Sequence, residues 1–202
     1  MKIYEACVGN YKEALLAFEK GADRIELCDN LMEDGTTPSY GTIKKTIEKL
    51  SIPVMVIIRP RGGNFIYNDE ELEIMKYDVK IAKDLGAHGV VIGAIKDFKI
   101  DKKMIKELVS IAKPMSITFH MAFDEIEDKK AAIDELIELK VDRILTKGGT
   151  GDAINNKDFL KELVDYADGR IVIMPGKGVN IENRDLILEY TGANEIHGSK
   201  VV

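Results

Sequence analysis

The sequence predicts an α/β fold, a closed (β/α)8 barrel built as a single domain over residues 1–202. Three observations carry this reading. Short apolar runs of strand length alternate strictly with segments of helical spacing, the pattern of a parallel sheet with helical crossovers. The helix-to-strand junctions recur, as GADRIEL from Gly21, GAHGVVI from Gly86, KVDRILT from Lys140 and GANEIHG from Gly192. About eight strands fit a closed barrel better than an open sheet, and no GxGxxG follows the first strand as a dinucleotide fold would require.

In chain order, Ile3–Val8 reads as a strand, and Tyr11–Lys20 as a helix with Ala14, Leu15 and Phe18 on one face. Gly21 stands where a left-handed cap closes that helix. Arg24–Cys28 is the second strand and Thr42–Leu50 the second helix, with Ile43, Ile47 and Leu50 inward. Val54–Arg59 is nearly continuous apolar chain, as expected of a strand buried on both faces. Asp69–Leu85 is a helix capped by Asn68 or Asp69, and Gly89–Ile95 the fourth strand. A helix over Asp101–Ala112 leads to the strand Met115–Phe119, and a helix over Lys129–Leu139 to Asp142–Thr146. Lys157–Ala167 is a helix, Ile171–Met174 a strand, Ile181–Thr191 a helix capped by Asn180, and Glu195–Gly198 the last strand. A barrel of about 250 residues normally ends in a helix over its last strand. This chain is expected to lack that helix and to leave an apolar patch near the first and last strands for a partner subunit.

Composition excludes several classes of function. The 202 residues carry a formal net charge of -6 and a pI near 5.3, with no basic stripe for nucleic acid. No apolar run is long enough to cross a membrane. The N-terminus MKIYEACV lacks the parts of a signal peptide, so a cytoplasmic location is expected and the two cysteines are expected as thiols.

Function in such a barrel sits at the C-terminal ends of the strands, and side chains alternate between interior and helices. With Ile25 and Leu27 facing the helices, Glu26 and Cys28 face inward, as do Glu5 and Cys7 on the neighbouring strand. The same parity brings Thr118, His120, Glu195 and His197 inward, while Arg59 and Arg61 follow strand three. Buried carboxylates need cationic partners, and Arg59 and Arg61 are nearest by layer. The group reads either as a structural ion network or as a site. In the second case Arg59, Arg61 and Lys177 would hold a small anion, with Glu26, His120 and His197 as acid and base. Asp124 would orient His120 or cap the next helix, and His88 is expected to be structural. The glycine-rich turns at Gly148–Gly151 and Gly176–Gly178, with Lys147 and Lys177, suit a phosphate or simply a tight turn. Cys7 and Cys28 are either small buried hydrophobes or two thiolates on adjacent strands, a donor pair that suits Cu(I). Met32 or a histidine would be a third donor; zinc would require four, and no CxxC or HxxxH spacing supplies them.

The segments GADRIELCDNLMEDGTTPSYG, RPRGGNFIY, GAHGVVIGAI, TFHMAFD, DRILTKGG, IMPGKGV and EIHGS, which span nearly the whole chain, resemble the CutC family of copper homeostasis proteins. The resemblance implies a TIM barrel, a cytoplasmic homodimer, and copper ligated at the positions of Cys7 and Cys28. It also leaves a metal-independent enzyme acting on a small anionic or phosphorylated metabolite as the alternative. The chain departs from the family pattern at Met121, where an arginine is usual, at Lys147 and Lys177, where small residues are usual, and in its short end after Ser199.

Overall fold

The structure is a computed structural model that describes residues 2–202. Its eight barrel strands are β1 (Ile3–Val8), β2 (Arg24–Leu27), β3 (Val54–Ile57), β4 (Gly89–Ile92), β7 (Ser116–Phe119), β8 (Arg143–Thr146), β9 (Val172–Pro175) and β10 (Glu195–Gly198). A two-stranded hairpin, β5 (Ile95–Lys96) and β6 (Lys99–Ile100), interrupts the series after β4. Seven helices alternate with the strands: α1 (Tyr11–Glu19), α2 (Tyr40–Lys49), α3 (Asp69–Asp84), α4 (Lys102–Ala112), α5 (Lys129–Glu138), α6 (Lys157–Ala167) and α7 (Arg184–Thr191).

All eight strands form one parallel sheet in the order β10-β1-β2-β3-β4-β7-β8-β9. The two ends of that order, β9 and β10, lie side by side, and a parallel bridge between Asn180 and Lys200 joins the chain just beyond them. The seam is tight. A Cβ at Gly198 would stand 2.5 Å from the Val179 carbonyl oxygen, so only glycine fits there.

Local chemistry explains most helix starts. Asn10, Ser39, Asp101 and Asp128 each accept a backbone N–H in the first turn of α1, α2, α4 and α5. Asn68 and Glu71 form a full capping box at α3. α7 begins three residues later than the sequence predicts. The Asn180 side chain accepts from the N–H groups of Glu182 and Asn183, and this turn takes up Ile181–Asn183 before the helix proper. The β5–β6 hairpin replaces the end of the predicted fourth strand. Asp97 and Phe98 both adopt left-handed angles (φ 52° and 57°), a tight hairpin turn that lacks the usual Asn-Gly signature.

The apolar interior is divided in two. The larger cluster lies between sheet and helices and takes the outward strand positions, among them Ile25, Leu27, Val56, Val90, Ile117 and Ile144. The smaller lies inside the barrel and contains Cys28, Met55, Ile57 and Val91. Most of the remaining barrel interior is polar, with Leu145 and Met174 as buried apolar exceptions. Near β1 and β10, where a bare patch is expected, the last residues pack inward, while Leu16 and Leu186 on the flanking helices stay exposed. Val201 is fully buried, and its carbonyl accepts from Arg184. The Arg184 guanidinium stacks 4.0 Å from the Tyr4 ring centroid.

Candidate functional site

The interior residues stack in levels along the barrel axis. At the lowest level, Arg24 donates to Glu5 and to Glu195. Arg143 donates to Glu195 at 2.8 Å and to the Ser116 hydroxyl at 2.9 Å. The two arginines therefore share Glu195, and Arg24 also holds Glu5. Arg24 is the partner that Glu5 needs, in place of the expected Arg59 and Arg61, while Glu26 meets His197. The strand alternation carries the signal for both arginines, since Arg24 lies two residues before the inward Glu26 and Arg143 opposite the inward Thr118.

One level higher, His197 lies between two carboxylates. Its Nδ1 is 2.9 Å from Glu5 and its Nε2 is 3.5 Å from Glu26. The strand register accounts for this, because Glu5 faces His197 across β1–β10 and Cys7 faces Glu26 across β1–β2. Burial alone would raise Glu5, but Arg24 and then His197 outweigh it and hold the carboxyl at about 2. Burial, then the neighbouring Cys7, pushes Glu26 well above the carboxylate range. Burial disfavours a charge on His197, yet Glu26, Cys7 and Glu5 together hold its pKa well above the ordinary histidine value. This level thus sets one lowered carboxyl and one raised carboxyl against an imidazole whose charged form is favoured.

The thiols form the top level on the β1–β2 side. Cys7 and Cys28 Sγ atoms are 3.9 Å apart, and with a Glu26 oxygen they form a donor group whose atoms all lie within 4.8 Å of one another. Hydrogen bonding to Cys28 comes first in lowering Cys7 well below the usual thiol value; burial opposes it and His197 adds to it. The same hydrogen bond, then burial, raises Cys28 well above that value. Of the two sulfurs, the thiolate form is therefore favoured on Cys7 and disfavoured on Cys28. Met32, considered as a third donor, is 95% exposed on the rim.

Above these levels opens a cavity of about 970 Å³. Cys7, Glu26 and His197 line it on one side, and Arg59, Phe65 and His120 on another. Lys147, Lys177 and Lys200 line it after β8, β9 and β10, with Asp124 and Asp152 interspersed. Lys177 adopts a left-handed angle (φ 75°), and its Nζ lies 3.8 Å from Asp34. Asp124 neither orients His120 nor caps a helix. It accepts from the Thr146 hydroxyl at 2.6 Å and the Lys147 N–H at 3.1 Å, which ties the loop after β7 to the end of β8. His88 is structural, accepting the Val54 N–H at 3.2 Å.

The structure separates the two rim arginines. Arg61 pairs with Glu71 of the α3 capping box and is not part of the cavity wall. Arg59 is buried and donates to the carbonyls of Glu33, Gly35 and Gly63, pinning two loops. His120 is buried against Gly93, where a Cβ would stand 2.3 Å from the ring. Its Nδ1 accepts the Ala122 N–H at 3.1 Å. Glu26 and His197 are thus brought together. No hydrogen bond or ion pair among the described residues joins His120 to either of them.

The CutC family model matches residues 2–202. A human copper homeostasis protein cutC homolog is 46% identical over 98% of the chain and 72% of its own length. A CutC family protein of Enterococcus faecalis is 48% identical over 99% of the chain and all of its own. The crystal structure of a CutC protein from Streptococcus agalactiae superposes with a TM-score of 0.96 at 41% identity, covering both chains completely.

Proposed function

The chain belongs to the CutC family, and from that premise we propose that it binds copper as Cu(I) in a homeostasis role, with Cys7 and Cys28 as the donors. One observation carries the reading: the two sulfurs lie 3.9 Å apart. Two metal–thiolate bonds of about 2.3 Å reach at most about 4.6 Å end to end, so one ion fits between them. Two soft donors and one hard carboxylate suit Cu(I) and fall short of a four-ligand zinc site. His197 favours the thiolate form of Cys7 that a metal requires, and Cys7 faces the cavity, so the ion has an entry path. Both cysteines are free thiols, which accords with a reducing, cytoplasmic setting.

Titration of the reduced protein with Cu(I) against a competing chelator tests the reading. Cys7→Ser and Cys28→Ser each remove one of two soft donors and are expected to weaken binding by roughly 100-fold or more. Equal affinity in wild type and both variants would overturn it.

A second reading, a metal-independent enzyme acting on a small metabolite, is favoured by the His197 level. An imidazole between Glu5 and Glu26, at the foot of a cavity far larger than one ion and with Glu26 pushed above the carboxylate range, has the make-up of an acid/base centre. Its test is turnover of a bound metabolite by metal-free protein, with Glu26→Gln expected to abolish it.

A further inference from the structure

Arg59 is the odd cation of the barrel. It is 3% exposed, and no carboxylate lies within ion-pair distance of it among the described residues. A buried guanidinium without a counter-charge is costly, and buried charges are normally paired. Its terminal nitrogens are occupied by loop carbonyls, but its Nε has no partner. His120 is in the same condition. It is 4% exposed and its Nε2 has no partner. Because Nδ1 accepts a backbone N–H, the neutral ring carries its proton on Nε2, so the orphan atom is a donor. Phe65 connects the two. Its ring centroid lies 5.0 Å from the Arg59 guanidinium and 4.7 Å from the His120 ring. All three residues line the cavity, on a wall formed by β3, β7 and the loop after β3.

Two buried N–H donors, one of them charged, thus border an aromatic face with no acceptor supplied by the protein. Native structures rarely leave such groups unmet. We propose that this wall is a binding subsite for an oxyanion, carboxylate or phosphate ester, carried by a small hydroxylated organic molecule. The oxygens accept from Arg59 Nε and His120 Nε2, and the carbon skeleton lies against Phe65. Lys147 and Lys200, which also line the cavity and enter no ion pair among the described residues, supply further donors for the rest of the molecule. The subsite does not involve the thiols. It rests on the second reading only for what happens to the ligand afterwards, so binding and turnover are separate questions.

The test measures binding to metal-free protein. Gluconate, glucose 6-phosphate, inorganic phosphate and glucose are each titrated while the melting temperature is followed. The two organic anions distinguish carboxylate from phosphate ester, inorganic phosphate isolates the charge, and glucose isolates the skeleton. At least one organic anion is expected to raise the melting temperature and to bind about tenfold or more tightly than glucose, the discrimination expected of one charge-assisted hydrogen bond. The same ligand is expected to shift the imidazole Nε2–H proton resonance of His120. His120→Asn is expected to weaken it by about tenfold, and Arg59→Gln by more. Arg59 also pins two loops, so His120→Asn and the proton resonance keep the proposal falsifiable if Arg59→Gln fails to fold. The proposal is overturned if no organic anion binds at millimolar concentration, if glucose binds as tightly, or if His120→Asn leaves affinity and resonance unchanged. A subsite that binds an anion the protein never turns over leaves it standing while removing the acid/base reading.

Discussion

The floor and the mouth of this barrel hold the same residue types to opposite effect. On the floor, Arg24 and Arg143 share Glu195, Arg24 also holds Glu5, and every charge faces its opposite. At the mouth, Arg59 has no carboxylate among the described residues, His120 has an unmet donor, and Cys7 is a lowered thiol next to a second one. A satisfied buried network holds a structure in one arrangement; an unsatisfied one is finished by something else. The difference shows where the chain's own folding ends and where its ligands begin.

Breaking the floor is expected to have the largest effect. Arg24→Met leaves Glu5 buried without its main counter-charge and is expected to cost about 3–5 kcal/mol, measured as a lower midpoint in urea unfolding. If the loss is below about 1 kcal/mol, floor and mouth do not differ as argued.

The next effect depends on pH. Burial, then the Arg59 charge, holds His120 down to about 3 from an ordinary 6.5. As pH falls, the unfolded chain takes up this proton first. The contribution is therefore fully present above 6.5 and is lost as pH falls from 6.5 towards 3, by about 1.4 kcal/mol per unit. Glu26, whose pKa is raised, acts in the opposite sense over part of that range. The difference between wild type and His120→Asn isolates the histidine. Urea unfolding at pH 7, 6 and 5 should show the variant gaining on wild type at each step down.

Lys177→Gly tests the smallest effect. It relieves a left-handed lysine, which costs about 1–2 kcal/mol, against about 0.5–1 kcal/mol of added chain entropy in the unfolded state. A net stabilisation of about 0.5 kcal/mol is expected in the same melts. A net loss would mean that the Asp34 contact, 3.8 Å away, holds the rim more strongly than its exposure implies.

The floor and the mouth were not equally legible in the sequence. Alternation alone places Glu5, Cys7, Glu26, Cys28, His120 and His197 inside the barrel, because a strand has a strict period of two. The same rule places Arg24 and Arg143 inside as well, whereas assignment by layer pairs the glutamates with Arg59 and Arg61 instead. Which carboxylate an arginine meets depends on the stagger between strands, and no single strand records it. Arg61 was lost to Glu71, a residue whose capping role is visible in the sequence as Asn68 followed three residues later by glutamate. The β5–β6 hairpin was missed because Asp97-Phe98 lacks the glycine that usually marks such a turn. The 3.9 Å sulfur separation lies beyond sequence reasoning, since it depends on two side-chain torsions as well as on register.

The contact between Glu5 and His197 joins residues 192 positions apart, and this gives the site a history in time. A ribosome releases the chain N-terminus first, at about 5–20 residues per second. Cys7 and Cys28 emerge within seconds of one another, on strands that pair directly. His197, which adds to the lowering of Cys7, leaves last, on β10, and reaches β1 only as the sheet closes. A truncated or stalled chain therefore carries the two neighbouring sulfurs without the imidazole that Cys7 meets once the barrel is whole.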